Sequence, residues 1–157
     1  MARVISTTID IAATPETVWA VLADLASYPE WHPVFRKVSG SLTPGSKLTI
    51  DTTIPSSGRD MTVKVKVITA DPGRELQWVS RMLGVTYSKR TFVLTPDGTG
   101  TSLEQAGSYT GLGGVRPGYG GRNTYAVLDR IRGTLESINE AIKEQAEARQ
   151  QAAGTGG

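Results

Sequence analysis

Between Val4 and Ile11 apolar and polar residues alternate loosely. Ile5, Thr7, Ile9 and Ile11 share one face, the pattern of a half-buried strand. At Thr14 the period changes. Thr14-Pro15-Glu16-Thr17 predicts a helix start, with Thr14 as N-cap and Pro15 at the first helical position. Val18, Leu22 and Leu25 then recur at helical spacing, with Trp19 beside the stripe. Tyr28-Pro29 should stop this helix, because a residue before proline is pushed out of the helical region. Glu30 to Pro33 leaves room for one short turn at most. From Phe35 the period returns to two. Arg36–Ser41, Lys47–Ile54, Thr62–Ala70, Glu75–Arg81, Tyr87–Thr95 and Thr101–Thr110 read as strands. Turn residues separate them at Pro44-Gly45, Ser56-Ser57-Gly58, Pro72-Gly73 and Pro96–Gly100. Val63, Val65 and Val67 against Lys64 and Lys66 give the clearest alternation.

Gly111 to Asn123 breaks the pattern, since six of its thirteen residues are glycine. Such a loop moves easily and is costly to order, which suits a lid. Leu128, Ile131, Leu135, Ile138 and Ile142 then step by three and four, the mark of a long amphipathic helix. Asn123 or Thr124 can cap it, and its end is expected near Arg149. Residues 1–149 therefore read as one domain, and 150–157 as a disordered tail. The fold class is α+β: strand, broken helix, about six antiparallel strands and a long helix. A curved sheet with that helix on its concave face buries both apolar surfaces. The space between them can hold a ligand.

Composition narrows the function. The chain has 157 residues, 38% of them hydrophobic, with a net charge of +2 and one histidine. There is no basic run interleaved with aromatics, so nucleic acid is not an expected partner. The absence of cysteine excludes disulfides, thiolate metal sites and cysteine nucleophiles. With one histidine besides, no metal or organic cofactor is expected. No segment approaches a membrane span or a signal peptide, which predicts a cytoplasmic protein without membrane insertion. Leu128 to Ile142 covers about two heptads, too few to demand a coiled-coil partner. Monomer and homodimer both stay open.

The stretch IDIAATPETVWAVLADLASYPEWHPVF, the RELQW strand, the FVLTPDGTGTSLEQ hairpin, YTGL and the long last helix together resemble a known group. This is the START/Bet v 1-like (SRPBCC) superfamily, in its polyketide cyclase/dehydrase-like branch. The resemblance covers roughly residues 3 to 146. It implies a helix-grip fold of about seven strands around the C-terminal helix, with an internal ligand cavity. It also implies a small hydrophobic or aromatic, polyketide-like ligand. The function is then a cyclase or dehydratase reaction, or a carrier or sensor role without chemistry. The chain departs from close relatives in three places. Trp31-His32-Pro33 stands for a frequent Trp-Asn-Pro, Arg90 for a histidine, and Gln105-Ala106-Gly107 for His-x-Glu.

Strand alternation nominates the site. Arg90 shares a face with Phe92 and Leu94. As a catalytic group it would meet a ligand carboxylate or enolate; a slipped register would instead expose it or pair it with Glu104. Tyr109, in the row of Leu103, Gln105 and Gly107, can orient a carbonyl or relay a proton. His32 is a reserve acid or base, or else a cap bonded to backbone beside Trp31 and Pro33. Trp31, Phe35 and Trp78 can form aromatic walls, or plain core. Val65 belongs to the apolar floor, and Gln105 can bond a ligand carbonyl. Tyr119 and Tyr125 flank the glycine-rich loop as further ligand contacts.

Overall fold

The computed structural model describes residues 3–53, 58–82, 86–110 and 121–155. Within them, side chains are described except at 3, 81–82, 86–87, 109–110, 121–128 and 154–155. Seven strands are present: β1 (Arg3–Ile11), β2 (Phe35–Gly40), β3 (Lys47–Thr53), β4 (Asp60–Asp71), β5 (Glu75–Met82), β6 (Thr86–Asp97) and β7 (Gly100–Thr110). They form one sheet in the order β1-β7-β6-β5-β4-β3-β2, each neighbour antiparallel. From β2 to β7 each strand pairs with the next along the chain, as the short turns between them dictate. The first two strands become opposite edges. The segment between them, α1 (Pro15–Ala23), a 3-10 turn (Leu25–Ser27) and α2 (Tyr28–Trp31), carries the chain across. Register shifts in β2 at Phe35/Lys37 and in β4 at Val67/Thr69 are the bulges of this curved sheet.

The long helix α3 (Gly121–Thr155) packs on β1, β7 and α1. Its buried positions Leu135, Ile138, Ala141, Ile142 and Ala146 follow the helical period. They meet an inward face made of Ile5, Ile11, Leu48, Ile50, Val65, Val67, Leu76, Trp78, Phe92, Leu94 and Leu103, all buried. This is the helix-on-sheet arrangement that the pattern implied and the helix-grip fold that the resemblance implied.

Three boundaries differ from expectation. Thr14 caps α1 through its Oγ1, which accepts from the Thr17 N–H at 3.3 Å. The helix then ends at Ala23, short of Leu25, because Asp24 leaves helical geometry with φ −85° and ψ 75°. Tyr28-Pro29 starts α2 instead of stopping α1, since proline fits a first helical turn whose N–H needs no partner. Finally, α3 begins at Gly121 and runs past Arg149 to Thr155. Tertiary bonds hold that extension. Gln150 Oε1 accepts from Thr14 N and Thr17 Oγ1 at 3.1 and 3.0 Å, and Arg149 pairs with Asp24 at 3.1 Å. Residues 150–155 are therefore helix and not a disordered tail. The lid reading of Gly111–Asn123 falls mostly outside the described residues, since only 121–123 are described, as helix.

Candidate functional site

Antiparallel pairing carries a row of side chains from β1 through β7 and β6 to β5. Thr7 lies opposite Gln105, and Gln105 opposite Phe92. Gln105 thus points into the interior, where its exposure is 0%. Among the described residues neither Oε1 nor Nε2 of its amide has a hydrogen-bond partner. On α3, Asn139 is 2% exposed. It donates from Nδ2 to Thr7 Oγ1 at 2.7 Å, while its Oδ1 has no partner among the described residues. Gln105, Thr7 and Asn139 make one polar cluster in an otherwise apolar core. A buried polar atom without a partner costs free energy, so an unpaired cluster points to a missing partner.

Arg90 is one step along the same face of β6, half-buried, between Trp78 on β5 and Gly107 on β7. Gly107 contributes no side chain to that face. Glu104 lies on the opposite, exposed face of β7 and does not pair with it. Among the described residues no carboxylate makes an ion pair with Arg90. Its charge is felt across the interior at Tyr28 and His32.

His32 is committed elsewhere. It is 7% exposed, its Nδ1 accepts the Val34 N–H at 3.1 Å, and its Nε2 is 2.9 Å from Ser137 Oγ. Because Nδ1 accepts, the ring proton sits on Nε2 and is donated to Ser137. Burial first, and then the Arg90 charge, hold its pKa below the ordinary histidine value. Both ring nitrogens are thus engaged within the fold, at the end of α2. Tyr28 is equally occupied, donating to the Leu22 carbonyl at 2.6 Å. Its burial and the nearby Asp24 raise its pKa far above the usual phenol range, against the opposing Arg90.

The aromatic residues form two groups. Tyr28, Trp31 and Phe35 stack edge to face, with ring centres 4.8, 5.0 and 5.6 Å apart. Trp31 is half-buried, and its Nε1 is a further buried atom without a partner among the described residues. Trp78 packs on Phe92 at 5.5 Å. Val65 is buried core on β4, and Ser80, next to Trp78 along the inward row, bonds Ser88 of β6. Tyr109 lies near the end of β7 and Tyr125 in the first turns of α3, but both side chains fall outside the description; Tyr119 lies wholly outside it.

The structure thus brings Gln105 and Arg90 to one interior face and gathers Trp31, Phe35 and His32 at α2. Asn139 and Thr7 were not nominated from the sequence. Asn139 stands four residues after Leu135, on the inward stripe of α3, and a polar residue there was the available signal. A separate surface cleft of about 540 Å³ lies by α1 and the β4–β5 and β6–β7 turns, lined by Pro15, Trp19, Arg74 and Pro96 among others. None of the nominated residues lines it. Among the described residues no helix is long and apolar enough to cross a membrane.

Residues 2–147 match the model of a family described as polyketide cyclase / dehydrase and lipid transport. No curated protein matches the sequence. Several solved structures share the fold at low identity. The di-domain ARO/CYC StfQ of the steffimycin biosynthetic pathway is 17% identical with a TM-score of 0.72, over 99% of this chain and 52% of that one. The chain thus spans about half the length of that protein. The Zhui aromatase/cyclase from Streptomyces sp. R1128 is 20% identical with a TM-score of 0.74, over 98% and 99% of the two chains. A START superfamily protein from Mycobacterium smegmatis is 19% identical with a TM-score of 0.70, over 96% and 98%.

Proposed function

The chain belongs to the polyketide cyclase / dehydrase and lipid transport family, within the START/Bet v 1-like superfamily, and on that premise we propose that it binds a small aromatic, polyketide-like molecule between its sheet and α3. The observation that carries this is Gln105, wholly buried with both amide atoms unpaired among the described residues. An apolar interior with a few unspent polar groups is the composition of a small-molecule site. Arg90, half-buried and without a carboxylate partner among the described residues, supplies a cation on the same face.

With these groups the chemistry open to a bound carbonyl chain is cyclisation or dehydration by positioning. Arg90 and Gln105 would stabilise an enolate or alkoxide oxygen, and holding one enolisable carbon against a second carbonyl would supply most of the rate. Tyr109 is assigned to orient a carbonyl at the end of β7. His32 is assigned no proton transfer, because both ring nitrogens are hydrogen-bonded within the fold. That same observation favours a second reading, a carrier that binds the molecule without transforming it.

Native mass spectrometry of the purified protein against aromatic and lipid-like compounds tests the binding. Turnover assays on each binder then separate cyclase from carrier. An Arg90→Leu variant should weaken binding of acidic aromatics and leave neutral ones unchanged. Unchanged affinity for acidic aromatics would remove Arg90 from the site, and failure of every compound to bind would overturn the proposal.

A further inference from the structure

The unpaired atoms around Thr7 specify more than a generic ligand, and the step rests on reading the interior as a binding site. Among the described residues three buried side-chain atoms there lack partners: Gln105 Oε1, Gln105 Nε2 and Asn139 Oδ1. Asn139 Nδ2 is already donated to Thr7 Oγ1, which fixes the amide with its acceptor free. Thr7 and Gln105 are direct cross-strand partners on one face, so Gln105 and Asn139 both neighbour Thr7, which marks the point under α3. The unmet set is two carbonyl oxygens and one amide nitrogen with its two N–H groups. No charge is among them, so a carboxylate or ammonium at this point would be stranded.

We infer that this point is a subsite for the hydroxylated end of an aromatic ring with two hydroxyl groups placed meta to each other, as in a resorcinol. One hydroxyl donates to Asn139 Oδ1 and accepts from Gln105 Nε2. The other donates to Gln105 Oε1. A single ketone meets only the donor and leaves both amide oxygens unpaired; an ether does the same. The subsite therefore selects phenols over their ketone or ether counterparts. It also orients the ring, with its hydroxyls inward at Gln105 and the rest of the molecule toward Arg90.

The test uses four probes of equal core size: naphthalene, methoxynaphthalene, naphthol and naphthoresorcinol. Their affinities are measured by calorimetry on the full chain. The expected order rises with hydroxyl count, naphthoresorcinol binding about tenfold or more tighter than methoxynaphthalene, the effect of leaving buried polar groups unpaired. Gln105→Leu should bring that ratio to near unity while naphthalene binds as before. A double variant, Asn139→Leu with Thr7→Val, removes one of the three bonds without stranding the threonine hydroxyl and should lower that ratio without abolishing it. Gln105→Met, unbranched like glutamine, serves where leucine does not fit. If naphthalene binds and the hydroxyls bring no gain, the subsite is wrong and the ligand-binding reading stands. If the gain survives undiminished in both variants, the hydroxyls bind elsewhere and the assignment falls. If a fixed water is found on these atoms and naphthoresorcinol fails to displace it, the cluster is structural only. If no probe binds, both readings fall.

Discussion

Replacing Gln105 with leucine should make the protein more stable. The perturbation removes an amide that is 0% exposed and has two atoms unpaired among the described residues, on a residue flanked across the sheet by Phe92 and Thr7. Stranding such a group costs about 1–3 kcal/mol, and leucine fills a similar volume with no polar atom. The gain should therefore be about 1–3 kcal/mol. For a domain of this size each kcal/mol moves Tm by roughly 2–4 °C, so the midpoint should rise by roughly 2–12 °C. Scanning calorimetry gives the midpoint. Urea titration with an unchanged slope would show that the folded and unfolded states keep their compactness. Gln105→Met repeats the test without a branch at Cγ. A fall in stability with both variants would refute the reasoning, because it would mean the amide is bonded in the folded protein. A rise, together with lost discrimination among hydroxylated probes, would show stability given up for recognition.

Two further perturbations test the frame of the site. Neutral His32 has its pKa held down by burial and by Arg90, so its stabilisation is present above its unfolded pKa of about 6.5 and is lost as pH falls toward the folded value; protonating Nδ1 also breaks its bond to the Val34 N–H. In His32→Asn the amide oxygen can take over that acceptor role, so denaturation midpoints measured from pH 8 to 5 should flatten, and an unchanged slope would assign the pH dependence to other groups. Gly40 holds φ +127°, and a Cβ there would lie 2.5 Å from the Lys47 carbonyl oxygen and 2.9 Å from Leu48 Cδ2; Gly40→Ala should cost about 1–3 kcal/mol in a urea titration, and a neutral result would show that the β2–β3 edge yields.

Much of the fold was legible because its elements repeat at their own periods. Ile5 to Ile11 and Val63 to Val67 alternate, and Leu135 to Ile142 step by three and four. Burial follows those positions because a sheet face and a helix stripe have nowhere else to put apolar area. Alternation also aimed Arg90 and Gln105 inward, which is where they lie. Boundaries were less legible. The extension of α3 past Arg149 depends on bonds from Gln150 to Thr14 and Thr17, more than 130 residues away, and local sequence carries no record of them.

The chain by itself thus determined the order of elements, the faces they bury and the side chains that point inward, since each follows from local period and turn chemistry. It did not determine which inward polar groups are free. His32 and Gln105 look alike as buried polar candidates until packing brings Ser137 and the Val34 N–H to one and nothing to the other. Only the tertiary structure decided that. Hydrogen bonds are satisfied across the fold, by partners from strands and helices far apart in sequence, and the group left over after that accounting is where a ligand is proposed to bind.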